Sequence, residues 1–195
     1  PGVVIWTGTN WLKEFQNPNA LSHSHAFGFT GGSERSSFSM GVSYLEEEGI
    51  YGNDNVNSTY KRLNLRLNSE HILWEVKGRD VLVFGQNLTY TNAKNPTIRT
   101  GNIYWSDIHN MIVASPFLPL YADSLNDPSY PYHRAIFWDE NQSNPMASME
   151  LQSKHNTNNN NTIVGTAYLD LQPINNLHLR SSFGINNWYG SSRHW

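Results

Sequence analysis

Polar and apolar side chains alternate with a period of two along most of this chain, the signature of strands with one face against an apolar medium. The clearest run, Ser36 to Tyr44, puts Phe38, Met40, Val42 and Tyr44 on one face and Ser37, Ser39, Gly41 and Ser43 on the other. Tyr60 to Asn68 sets Leu63, Leu65 and Leu67 against Arg62, Asn64, Arg66 and Asn68. Val81 to Tyr90 sets Leu82, Phe84, Leu88 and Tyr90 against Val83, Gly85, Asn87 and Thr89, with Gln86 out of pattern. In Thr162 to Leu171, Ile163, Ala167, Leu169 and Leu171 oppose Thr166, Tyr168 and Asp170. In Leu177 to Ile185, Leu177, Leu179, Phe183 and Ile185 oppose His178, Arg180, Ser182 and Asn186. A weaker run, His23 to Thr30, carries Phe27 and Phe29. Six strands are predicted.

The connections between these runs alternate in length. Gly31–Arg35 is short, Glu46–Thr59 longer, His71–Asp80 fairly short, Asn92–Asn161 very long and Gln172–Asn176 short. Short turns on one rim and long loops on the other describe an up-and-down barrel of the outer-membrane type, and so long an excursion is unusual inside a soluble sandwich. Within it, Ile103, Ile108, Met111 and Ile112 fall at roughly helical spacing before Pro116 and Pro119, which predicts one short helix in Ile103–Ala114. Tyr121 to Pro145 reads as an ordered loop and Asn156 to Asn161 as a polar tip.

Composition narrows the class. Aromatics are 13% of the chain and charged residues only 15%, the opposite of a disordered segment. This balance suits a sheet with an apolar face, a neutral polar face and aromatic girdles. A net charge of −3 without a Lys/Arg stripe gives no reason to expect nucleic acid. There is no cysteine, so neither disulfides nor thiolate metal sites are available. The longest apolar runs fall far short of a membrane helix. The start at Pro1 and the end at Trp195 lead us to expect a piece of a longer mature chain.

Several motifs, in order, carry a family resemblance. Thr9-Asn10-Trp11 with Glu14-Phe15, the run FGFTGGSERSSFSMGVSYLEEEGI (27–50), YKRLNLRLNS (60–69) and Gln86–Thr91 follow one another along the chain. ASPFLPLY (114–121), Asn144–Met149 and IVGTAYLDLQPINNLHLRSSFG (163–184) complete the set. Together they resemble the SusC-like, RagA-type TonB-dependent outer-membrane transporters of the Bacteroidetes, near the front of the barrel. Two stretches depart from the family's pattern. Trp74 to Asp80 is longer than the family's turn, which leaves the register from Trp74 to Val81 open, and Pro1 to Thr7 matches nothing in it.

The resemblance implies an all-β fold: about six antiparallel strands of a 22-stranded transmembrane β-barrel, with a long extracellular loop over 92–161 carrying one short helix. Residues 1–22 would be a plug-to-barrel junction and 23–195 a partial barrel. It further implies active import of oligosaccharides, or of peptides, through the outer membrane of a Gram-negative bacterium. The implied partners are a SusD-like surface lipoprotein and TonB, the latter through a segment absent from this chain.

Candidate site residues follow from the two faces. Arg62, Asn64, Arg66, Asn68, His178 and Arg180 would line the lumen, either along a solute path or against plug and lumen carboxylates. Phe38, Met40, Val42, Leu63, Leu65, Leu67, Leu179 and Phe183 would face lipid. Tyr104, Trp105, Tyr121, Tyr130, Tyr132 and Trp138 would form loop contacts to a ligand or a lid, or the loop's own core. His23 and His25 share a strand face, but no third ligand is placed beside them, so no metal is expected, and no cofactor. Glu46, Glu47 and Glu48 read as a solvated strand end rather than a glycosidase carboxylate pair, and no enzyme is expected. The competing reading is a soluble β-sandwich carbohydrate-binding module, which needs a second sheet over the apolar face.

Overall fold

The alternating runs pair in chain order. The computed structural model describes residues 8–52, 56, 59–95, 106–118, 120–121 and 144–193. Its strands are β1 (Ser22–Ser33), β2 (Ser36–Glu47), β3 (Tyr60–Val76), β4 (Arg79–Asn95), β5 (Thr157–Ile174) and β6 (Leu177–Arg193). They form one antiparallel sheet in the order β1-β2-β3-β4-β5-β6. The fold is all-β, as the alternation predicts, with every neighbour pair an up-and-down connection.

The strands outrun their apolar stretches. The 17 residues of β3 extend about 55 Å at the usual rise per strand residue, well beyond the 9–11 residues a barrel strand spends in hydrocarbon. Two corrections follow. The third connection is a two-residue turn, Lys77-Gly78, because β3 runs on to Val76 and β4 begins at Arg79. Both turn residues have positive φ, 51° and 75°, the handedness that matches the twist of the flanking strands. The extra length is absorbed by a bulge around Trp74, where Ile72 faces Val83 but Trp74 faces Leu82. Second, the Asn-rich stretch is no tip. Residues 158–161 pair with Asn92–Asn95 in the β4–β5 ladder. Amide side chains hold them: Asn92 Nδ2 donates to Asn159 Oδ1 and Asn161 Oδ1, each at 2.8 Å.

The predicted loop over 92–161 therefore shrinks to the span between Asn95 and Thr157, and its described residues form two helices where one is predicted. One is α2 (Asp107–Val113), inside the predicted span, with Ser106 as N-cap accepting from the His109 N–H. The other is α3 (Pro145–His155), capped by Asn144, with Pro145 in the first turn. A five-residue helix, α1 (Trp11–Phe15), precedes β1.

These helices, with Val56 and Leu118 beside them, form a buried hydrophobic cluster. Trp11, Phe15, Val56, Met111, Leu118, Met146, Ala147 and Met149 pack together, with Tyr51 and Ile108 against them. No strand residue belongs to this cluster. Three chain segments are stitched into it: the approach to β1, the β2–β3 connection and the β4–β5 connection. Trp11 Nε1 donates to Ser115 O at 2.9 Å, Gly52 N–H to Phe15 O at 2.8 Å, and Asn144 Nδ2 to Leu120 O at 2.9 Å. Phe15 stacks on Tyr51 with ring centres 5.1 Å apart. Chain parity puts this cap at one rim of the sheet and the turns at Glu34-Arg35, Lys77-Gly78 and Asn175-Asn176 at the other.

Candidate functional site

The sheet is a single layer whose two faces differ in chemistry. On one, cross-strand rows such as Phe29–Met40–Leu67–Leu88 and Phe27–Val42–Leu65–Tyr90 run from β1 to β4. All eight residues expected on the apolar side share this face, since the register places Leu171 opposite Leu179 and Ala167 opposite Phe183 at its far end. Much of it is uncovered: Phe183 is 71% exposed, Phe27 66% and Leu179 54%. Among the described residues there is no second sheet, and the long β4–β5 connection supplies helices instead. Among the described residues the sandwich reading lacks the layer it requires.

The opposite face collects all six residues expected to line a polar wall. They fall into two groups. On β3, Asn64 Nδ2 donates to Ser43 Oγ at 3.3 Å and Asn64 Oδ1 accepts from Thr91 Oγ1 at 2.8 Å, tying β2, β3 and β4 together. With its amide turned to suit its neighbours, Asn68 donates to Asn87 Oδ1 and accepts from Arg66 Nε. Around these residues opens a shallow cavity of about 530 Å³, lined by Gly41, Ser43, Asn64, Arg66, Asn68 and Asn87 among others. Arg62 lies on the same face, with its Nε buried and without an acceptor among the described residues.

The second group centres on Asp170 of β5, which the alternation places on this face without marking it as a site residue. Arg180 meets Asp170 Oδ2 at 2.7 Å through one terminal nitrogen and at 3.0 Å through Nε, while His178 Nδ1 lies 3.1 Å from Oδ1. An arginine and an imidazole on one carboxylate show where the counter-charge of Arg180 sits. Arg180 also lies over the Tyr168 ring, 4.6 Å from its centre. Tyr168 in turn donates to Glu70 Oε2 at 2.5 Å. The chain Glu70–Tyr168–Arg180–Asp170–His178 thus joins β3, β5 and β6 across β4. It borders a polar cavity of about 580 Å³ near the turn rim, which Arg79 and Asn175 also line.

Gly85 makes that crossing feasible. It faces Tyr168 in the β4–β5 ladder, and a Cβ built on it would come within 2.2 Å of Tyr168 Cζ. The phenol therefore lies flat across β4 only because that position has no side chain. Gly85→Val is expected to lower stability by about 1–3 kcal/mol through overpacking. The urea midpoint of the folded full-length protein measures it, and adding Tyr168→Ala should return most of the loss. A loss that persists without the ring would assign the effect to the strand itself.

Of the loop aromatics, Tyr121 is exposed at the cap, while Tyr104, Trp105, Tyr130, Tyr132 and Trp138 lie outside the described residues. His23 and His25 stand side by side on the apolar face with ring centres 5.4 Å apart, and among the described residues no group of three or more His, Asp or Glu is placed to hold a metal.

No family model matches the chain, and no curated protein matches it. Solved structures do. The fold is similar to a chain in the structure of the RagAB peptide transporter, at 17% identity and a TM-score of 0.60. It is similar also to a chain of the RagAB peptide importer in its closed-closed state, at 18% identity and a TM-score of 0.60. Each match takes in 95% of this chain but only 20% of the other. At that identity the likeness establishes a shared fold.

Proposed function

We propose that this chain is a section of the barrel wall of a SusC-like, TonB-dependent active importer in the outer membrane. The observation that carries this is the single-layer sheet with its two uncovered and chemically opposite faces. A sheet of that kind is stable when lipid meets one side, water the other, and further strands its edges. Phe38, Met40, Val42, Leu63, Leu65, Leu67, Leu179 and Phe183 face hydrocarbon in this reading. Arg62, Asn64, Arg66, Asn68, His178 and Arg180 face the lumen.

The short turns then lie on the periplasmic rim and the cap on the cell surface, where a SusD-like lipoprotein would sit against it. The similar structures belong to a peptide transporter, so peptides stand beside oligosaccharides as cargo. The lumen wall accepts both, since Asn, Ser and Thr hydrogen-bond hydroxyls and amides alike, and arginines take carboxylates. In residues 1–22, α1 would belong to the surface cap.

The test uses the full-length parent in cells lacking their own copy. Uptake of labelled peptide and oligosaccharide pools should appear with the gene and vanish on adding a protonophore, which removes the energy TonB delivers. Recovery of the full-length parent in the soluble fraction without detergent would overturn the reading.

A further inference from the structure

The apolar face ends, toward the cap rim, in a row of polar and charged side chains. His23, Glu46, Lys61, Lys94 and Asn159 occupy successive positions of one cross-strand ladder. The next row inward begins His25, Tyr44, Leu63, and the one after it Phe27, Val42, Leu65. Glu46 is already engaged on three sides. Its carboxylate meets Lys61 Nζ at 2.8 Å, accepts from the Tyr44 hydroxyl at 2.5 Å and lies 3.9 Å from His23 Nε2.

Lys94 stands directly opposite Lys61, is exposed, and has no ion pair or hydrogen bond among the described residues. Like charges directly opposed on one face of a ladder are unfavourable. Among the described residues, the carboxylate of this row, Glu46, is spent on the first lysine and none pairs with Lys94, so the two ammonium groups carry one positive charge more than the row balances. What relieves it is an anion arriving from outside the sheet, at the level where the apolar rows stop.

We infer that Lys61 and Lys94 clamp the phosphate of an outer-leaflet lipid headgroup, whose acyl chains lie along the Phe27–Val42–Leu65 row. An amphiphile satisfies both halves of the surface at once: phosphate for the lysines, hydrocarbon for the rows below. A free anion would leave those rows without a partner. This rests on the proposed membrane-facing role of the apolar face.

The experiment takes the full-length protein in phosphatidylcholine nanodiscs, with lipid A or dephosphorylated lipid A added, and reads bound lipid by native mass spectrometry. Lipid A should bind in preference to its dephosphorylated form. Lys94→Gln should reduce its retention roughly fivefold, as expected for one lysine near a phosphate surface, and Lys94→Arg should preserve it. Equal retention of both lipids, or no change in the Lys61→Gln/Lys94→Gln double variant, overturns the clamp. Inorganic phosphate displacing lipid A completely assigns the site to a free anion and also overturns it. A nitroxide at Leu65 keeps the two readings apart. Lipid-accessible Leu65 with lysine-independent binding defeats the clamp alone, whereas water-accessible Leu65 removes the membrane reading beneath it.

Discussion

Replacing Phe15 by Ala should melt the cap while leaving the sheet paired. Phe15 is fully buried, stacks on Tyr51, and receives the Gly52 N–H on its carbonyl. Removing a buried phenyl ring in such a setting costs about 3–5 kcal/mol. The cluster is small, so a loss of that size exceeds what its remaining members supply. Because no strand residue joins the cluster, the damage should stay local. Hydrogen exchange on the full-length protein reads this directly. Amides of α1 and α3 should lose protection, while those of β2 to β5 keep theirs. Loss of protection across the strands as well would show that the cap holds the sheet together.

A charge at the centre of the apolar band should be the most damaging change in the sheet. Leu65 lies midway between Leu63 and Leu67 on β3 and faces Val42 and Tyr90 across the ladder. On a lipid-facing surface, an arginine at mid-depth costs about 2–4 kcal/mol. Leu65→Arg should therefore lower the folded fraction of the full-length barrel in vesicles, measured by urea titration. Ser43→Arg, on the opposite face of β2, serves as the control and should be far milder. Equal penalties on both faces would contradict the assignment of one to lipid and the other to water.

What the sequence disclosed, and what it hid, divides by mechanism. Period-two alternation located the six described strands because Leu63, Leu65 and Leu67 meet a different medium from Arg62, Asn64 and Arg66. The same rule put all six polar-wall residues on one face. It did not find their partners as such: Asp170 and Glu70 look like any polar-face residue until the ladder brings Arg180 and Tyr168 to them. Alternation failed where neither face is apolar. Residues 158–161 are all Asn and give no contrast, yet they pair in register. It failed again at Trp74, where a bulge changes which residues oppose each other. Helix α3 went unpredicted because its apolar residues, Met146, Ala147, Met149 and Leu151, are scattered around the helix and form no single stripe. Its start was nonetheless marked, by Asn144 as a cap and Pro145 behind it. The cap's packing was invisible because its core is drawn from segments as far apart as Trp11 and Met149.

The three two-residue turns also set an order of assembly. Each closes a hairpin, β1–β2, β3–β4 or β5–β6, whose first contacts need almost no loop to be ordered. The seams between hairpins are different, since β2 must find β3 across a longer connection and β4 must find β5 across the whole stretch from Asn95 to Thr157. Loop-closure entropy grows with that separation, and distant pairings form slowly. The sheet is thus expected to form from three quick ribbons, with β4–β5 the slowest of the seams among the described strands.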